Sequence, residues 1–207
     1  MSKTDDLTLW KNHGKNMRKL KLQVQMSVDG YIAGPNGEMD WLVQNWDEEL
    51  QNYVQEITDH VDCIVLGRKL AEGFIPYWSS VAANPEDPQF EAGQKFTETH
   101  KVVFSKTLKK SEWDHTVLAE NELSEEINRL KNQDGKDIIA YGGATFVSAL
   151  IRQELIDEFH LFINPAALGK GLAIFNELDS RKTLTFIKST SFGCGIVVLR
   201  YELNRDK

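Results

Sequence analysis

The stretch DIIAYGGATFVSALIR, residues 137–152, decides the fold. Its first five residues read as a buried strand, the glycine pair at 142–143 interrupts it, and 144–152 then repeats apolar residues at helical spacing. A strand that turns through glycines straight into a helix opens a strand–helix–strand unit, and the next apolar run, 159–163, supplies its second strand. The same alternation extends outward in both directions. Toward the amino end, 18–28 alternates Leu20, Leu22, Val24 and Met26 as a strand. Asp47 caps a helix carrying Leu50, Tyr53, Val54 and Ile57, and strands at 63–66 and 101–104 flank a short helix at 68–74. A weaker strand at 116–119, a helix at 124–131 opened by Ser in an acidic cluster, and two final strands at 184–190 and 196–203 complete the set. The order predicts an α/β fold in three layers, with a mainly parallel central sheet, crossover helices and a C-terminal antiparallel hairpin. Two segments stand apart. Residues 75–99, with Pro76, Pro85 and Pro88, read as a surface excursion, and 29–46 is a loop long enough to carry function.

Composition narrows the class. With 207 residues, 41% hydrophobic and 27% charged, the chain is globular, and a net charge of −7 argues against a broad nucleic-acid-binding face. No apolar run reaches the roughly 18 residues that a membrane span needs. Only Cys63 and Cys194 are present, so neither a disulfide framework nor a cysteine-rich zinc site can form, and a reducing cytoplasm is the expected compartment. His13, His60, His100, His115 and His160 are scattered without ligand spacing, and no metal is expected. Residues 1–16 read as a polar arm or an extension from an alternative start before Met17, and 17–207 as a single domain.

Three segments place small or basic residues directly after an apolar strand: Leu66-Gly67-Arg68-Lys69, Phe104-Ser105-Lys106-Thr107 and Tyr141-Gly142-Gly143-Ala144-Thr145. In a parallel sheet all three fall on the carboxyl edge, where helix N-termini and free amides receive ligands. Each alone is an ordinary turn; three in register point to a nucleotide, with Arg68, Lys69 and Lys106 as local charge in an acidic chain. Neither a P-loop nor a GxGxxG fingerprint occurs, so the nucleotide site is of another kind.

The motifs SVDGYIAGPNGEMDWL, IVLGRKLAEGF, KVVFSKTL, IIAYGGATFVSALI and ELIDEFHLFINPAALGKGLAIF follow one another in this order. Over residues 17–203 they resemble the dihydrofolate reductase-like proteins, and among them the C-terminal reductase domain of the bifunctional riboflavin-biosynthesis deaminase/reductase. In the last motif Asp157, Glu158, Pro165, Leu168, Gly169, Gly171 and Phe175 carry the likeness. The resemblance implies a dihydrofolate reductase fold, NADPH as hydride donor, and a homodimer. It implies that Gly67, Arg68 and Lys69 meet the cofactor phosphates and that Ser105 and Lys106 hold the 2′-phosphate. Gly142, Gly143, Ala144, Thr145 and Phe146 then wrap the pyrophosphate and nicotinamide side, with a cis peptide expected at Gly142-Gly143. Ser27 to Gly34, including Ala33, would cover the nicotinamide. Trp41 and Gly169 are the substrate-binding candidates.

Hydride transfer to an electrophilic carbon also needs a proton source for the negative charge that develops on the neighbouring nitrogen. The long loop offers Asp29, Asp40 and Asp47, whose carboxyls burial can raise toward useful donors. Asp47 doubles as a helix cap and Asp29 as a turn residue, which leaves Asp40 as the first to test. Trp41, Trp46, Tyr77 and Trp78 are candidates to stack on a heterocycle or to pack a core, and Lys170 and Arg152 are candidates for a substrate phosphate. The zinc-deaminase signature HxE…PCxxC is absent, and no acid stands clearly in the folate-binding register. The expected activity is therefore reduction of a phosphoribosylamino-pyrimidine or related heterocycle, with a dihydrofolate or pterin reductase and a non-catalytic nucleotide-binding regulator as alternatives.

Overall fold

The computed structural model describes residues 17–205; the polar arm expected at 1–16, with His13, lies outside them. The chain opens with β1 (Leu20–Ser27), β2 (Tyr31–Ala33), α1 (Glu48–Asp59) and β3 (Val61–Gly67). It continues through α2 (Arg68–Ala82), α3 (Phe90–Glu98), β4 (His100–Phe104), β5 (Thr116–Leu118) and α4 (Leu123–Lys131). The unit that opened the sequence reading follows as β6 (Asp137–Tyr141), α5 (Ala144–Arg152) and β7 (Glu158–Asn164). Then come β8 (Leu172–Ala173), β9 (Leu184–Ser191) and β10 (Val197–Leu203).

Eight strands form one sheet in the order β5-β4-β3-β6-β1-β7-β10-β9. From β5 to β7 all neighbours are parallel, and β7-β10-β9 is the expected antiparallel end. From β3 the chain moves outward to β4, whereas from β6 it crosses β1 to reach β7. The adjacent strands β3 and β6 are therefore left in opposite directions, which opens a crevice at their carboxyl ends.

Alternation in the strands sorts the core into layers. Leu20, Leu22, Val24 and Met26 of β1 join Cys63, Val65, Ile138 and Ala140 beneath α4 and α5, whose Ile127, Leu130, Val147 and Leu150 are buried. On the opposite face Ile64, Leu66 and Ile139 meet Ala71 and Ile75 of α2 and Phe96 of α3. Farther along that face, Leu50 and Ile57 of α1 pack on Phe162 and Val198. Between these two helical groups lies β1, which turns Lys21, Gln23 and Gln25 toward them.

Two sequence expectations are corrected. The helix read as ending near residue 74 runs to Ala82 through Pro76, and the supposed excursion contains α3. An interior proline costs about 3 kcal/mol in lost hydrogen bonding and clash. Here Ala71 and Ile75 are buried, and Phe74, Trp78 and Phe96 pack edge-on or stacked across the proline, with centroids 5.2–6.0 Å apart. That packing holds the helix together. The second correction is the ribbon β2–β8, too short to show a period.

Where α3 ends, Lys101 is 1% exposed and its Nζ donates to the carbonyls of Phe96, Thr97 and Thr99 at 2.8, 2.9 and 2.6 Å. Burial pushes the ammonium down to about 8, while the negative end of the helix favours the charge. Lys101→Met leaves three carbonyls without a donor in a dry site, and urea unfolding is expected to show a loss of about 2–3 kcal/mol; a loss below about 0.5 kcal/mol would contradict this capping role.

Candidate functional site

At the β3–β6 crevice Val65 pairs with Ala140, so Gly67 and the glycine pair 142–143 come to the edge side by side. Gly67 is the N-cap of α2 and Gly143 that of α5, and neither end has a side-chain cap. The first-turn amides of two helices thus lack intrahelical partners at neighbouring strand ends, a geometry that favours an anion. The glycines divide the work. A Cβ at Gly67 would lie 2.8 Å from Cβ of Phe146, whose ring packs against Phe104 with centroids 5.2 Å apart. The missing side chain at Gly67 lets α5 lock onto β3 and β4. Gly142 has no atom within 4 Å of the corresponding point, and Gly143, at φ +96°, meets only Leu70 at 3.8 Å. These two leave open space. The peptide between them is trans, which corrects the expected cis bond.

Of the basic candidates, Arg68 Nη1 pairs with Glu72 Oε1 at 2.6 Å, while Lys69 and Lys106 are exposed. Ser105 Oγ accepts from the amides of Thr107 and Leu108 at 3.1 and 2.9 Å, so it shapes its own loop. Beside it a cleft of about 500 Å³ is lined by Lys109, Lys110 and Ser111. The sequence reading stopped at Lys106 and missed the two lysines that reach this cleft; the run KTLKK, residues 106–110, was the available signal. Ala144 and Thr145 stand in the first turn of α5, with Thr145 exposed.

The second part of the edge joins β1 to β7. Asp29 accepts from Ser27 Oγ at 2.6 Å, from Leu168 N at 3.0 Å and from Gly169 N at 2.7 Å. These bonds hold its carboxyl down at about 2. Asp47 accepts from Leu50 N at 2.9 Å, capping α1, and from Cys194 N at 2.8 Å, fixing the β9–β10 turn; both bonds lower its pKa. The elevation expected for these two acids is therefore reversed, because both accept hydrogen bonds, Asp29 from the Ser27 hydroxyl and two backbone amides and Asp47 from backbone amides, and neither is a buried acid without a donor. Asp40 sits exposed on the loop. Trp41, half-buried, donates Nε1 to Glu38 O at 3.1 Å, and Gly169 has its amide engaged by Asp29. Ala33 is buried in the β2–β8 ribbon, where a Cβ at Gly171 would stand 2.2 Å from its carbonyl oxygen. Only glycine lets the two strands meet there.

The loop is pinned from below. Asn164, fully buried, accepts from Val43 N at 3.0 Å and donates to Gln25 Oε1 at 2.8 Å, and Trp46 stacks on Phe162 with centroids 6.3 Å apart. Tyr77 and Trp78 instead belong to α2, where Trp78 stacks on Phe96. Lys170 and Arg152 do not converge: Lys170 follows Gly169 at the carboxyl edge, and Arg152 is the last residue of α5, which leads away from that edge, 3.8 Å from Glu177. Among the described residues no group of three or more His, Cys, Asp or Glu side chains is arranged to hold a metal ion.

Asp29 is thus a latch between two loops. Its folded pKa lies below the ordinary carboxylate value, so its contribution is present above about pH 4 and is lost as the pH falls through about 2. In Asp29→Ala the amides of Leu168 and Gly169 are expected to exchange hydrogen at least about tenfold faster while the β6 and β7 amides keep their protection; unchanged exchange at 168 and 169 would refute the latch.

The comparisons with known proteins agree with this architecture. The family described as the RibD C-terminal domain matches residues 18–198. The uncharacterized protein YyaP of Bacillus subtilis (strain 168) is 32% identical over 189 residues, covering 90% of this chain and 96% of its own. YwjB of the same organism is 27% identical over 176 residues, with 85% and 93% covered. Among solved structures, a Shewanella sp. PV-4 protein provisionally assigned to riboflavin biosynthesis superposes with a TM-score of 0.66 at 23% identity, over 91% of this chain and all of its own. The Thermotoga maritima diaminohydroxyphosphoribosylaminopyrimidine deaminase/5-amino-6-(5-phosphoribosylamino)uracil reductase gives 0.66 at 17% identity, over 92% of this chain and 58% of its own. With a family match over residues 18–198, this protein belongs to the RibD C-terminal domain family, of reductase-like α/β fold.

Proposed function

We propose that this chain is an NADPH-dependent reductase of a planar heterocycle, most like a 5-amino-6-(5-phosphoribosylamino)uracil reductase. The observation that carries the reading is the pair of uncapped helix ends at Gly67 and Gly143 beside the open backbone of Gly142. Two helix dipoles and their free amides suit a pyrophosphate, and the adjoining cleft with Lys109 and Lys110, together with the exposed Lys106, suits a further phosphate on the adenosine side. The residues present therefore fit a phosphorylated dinucleotide. NADPH would supply a hydride to an electrophilic carbon, such as that of an imine.

The chain's own part is binding, orientation and exclusion of water. Amides of α2 and α5 hold the phosphates; the Asp29 latch and the β2–β8 ribbon close over the carboxyl ends of β1 and β7. Asp29 and Asp47 are committed to backbone amides, so Asp40 is the proton donor we assign. A reducing cytoplasm fits the free thiols, with Cys63 buried in β3 and Cys194 in the distant hairpin turn. For the homodimer, the surface is the edge strand β9, which exposes Phe186 and Ile187 by 58% and 40%.

Titration followed by nicotinamide fluorescence is expected to show NADPH binding more tightly than NADH. Lys106→Ala and Lys109→Ala should each weaken NADPH by about fivefold to tenfold and leave NADH nearly unchanged, since only NADPH presents the 2′-phosphate; equal loss for both nucleotides would contradict the assignment. In turnover assays over pyrimidines and pterins, Asp40→Asn should lower kcat by about 100-fold without altering NADPH affinity. An unaltered kcat would move protonation to solvent water. A chain that binds NADPH but oxidises it with no member of the panel would instead favour the regulatory reading.

A further inference from the structure

The central strand carries three successive polar side chains on the face turned toward α1, α2 and α3, and they are not equally engaged. Lys21 is tied down: its Nζ lies 3.0 Å from Asp137 Oδ2 and donates to Ile57 O at 3.3 Å. Gln23, 8% exposed, stands in register between Tyr141 of β6 and His160 of β7, and its Oε1 is buried without a hydrogen-bond partner. His160 has nothing to offer it. Nδ1 of that ring meets Tyr53 OH at 2.8 Å and Nε2 meets Glu158 Oε1 at 2.6 Å.

Gln25 is held in one orientation by a chain of unambiguous groups. The amide of Val43 can only donate, so it meets Asn164 Oδ1; Asn164 Nδ2 then donates to the carbonyl of Phe162 at 3.2 Å and to Gln25 Oε1 at 2.8 Å. With its oxygen facing Asn164, Gln25 turns both N–H donors away, and among the described residues no protein acceptor meets them. The residue is half-buried, two positions before the end of β1, at the carboxyl edge and beneath the loop that Val43 anchors.

We propose that Gln25 and Gln23 read the edge of the substrate ring. Gln25 Nε2 donates to a ring carbonyl oxygen, and Gln23, whose amide no partner fixes, presents its oxygen to the neighbouring ring N–H. Alternate residues of a strand share a face about 6.6 Å apart, so both side chains reach one planar ring. The class selected is a lactam, a pyrimidinone or pteridinone with adjacent C=O and N–H, in preference to the same ring with an amino group in place of the carbonyl. The proposal deepens the reductase reading and rests on it for the word substrate, but its test is binding and needs no turnover.

The full chain is titrated with pteridine-2,4-dione and with 2,4-diaminopteridine, followed by ring fluorescence, in the presence and absence of NADPH. Wild type is expected to bind the dione at least about tenfold more tightly than the diamine. Gln25→Glu keeps an oxygen for Asn164 Nδ2 but replaces the outward donors with an acceptor, and should reverse the preference. Gln23→Leu removes the unpartnered acceptor; it is expected to raise the melting temperature of the unliganded chain and to weaken the dione by about tenfold, a combination that a purely structural glutamine would not give. Equal affinity of wild type for both rings, a preference unmoved by Gln25→Glu, or no binding of either ring overturns the proposal. If circular dichroism shows Gln25→Glu unfolded, Gln23→Leu decides by itself. Ring discrimination without NADPH binding would remove the reductase reading and keep this one, and NADPH binding without ring discrimination would do the reverse.

Discussion

A strand in the middle of an eight-stranded sheet has no edge from which to reach water, so polar side chains on one of its faces must find partners or line a gap. β1 is such a strand. Its even positions, Leu20 to Met26, are as apolar as any in the core, while Lys21, Gln23 and Gln25 face the other way. Helices cannot lay an apolar stripe across that face. α1 accordingly packs to one side, on Phe162 and Val198, and α2 with α3 to the other, on Ile64 and Leu66. The parting of these helices over β1 adjoins the parting of the chain at β3 and β6, and the carboxyl edge between them gathers the open glycines, the Asp29 latch and the loop pinned by Asn164.

How much of this could be read beforehand varied with the range of the interaction. Strand, glycine pair and helix at 137–152 are local, and they emerged within a residue of their expected bounds. The antiparallel end was likewise signalled by two final strands, 184–190 and 196–203, with no helix read between them. The helix through Pro76 was not, because proline's local cost is visible in sequence while the aromatic packing of Phe74, Trp78 and Phe96 that offsets it is not. The β2–β8 ribbon is two and three residues long, below the length at which any period can be recognised.

The site shows the same division. That small and basic residues would collect on one edge followed from strand order alone. What each one does there did not, since that depends on partners far along the chain. Asp29 reaches amides about 140 residues away, and Asp47 one 147 residues away, so neither looked like an acceptor of tertiary hydrogen bonds in a linear reading. Lys109 and Lys110 were passed over for the opposite reason, because a pair of surface lysines in a loop has no local signature until the cleft beside β5 is seen.

Phe146 seated on Gly67 has a consequence for how such chains can diverge. The ring occupies the space that any larger residue at 67 would need, with 2.8 Å between the two Cβ positions. Neither site can enlarge on its own. In related sequences the two positions should drift as a couple, a bulkier residue at the end of the strand being accepted only alongside a smaller one in the first turn of the helix, and a substitution harmless in one lineage should be damaging when transplanted into another.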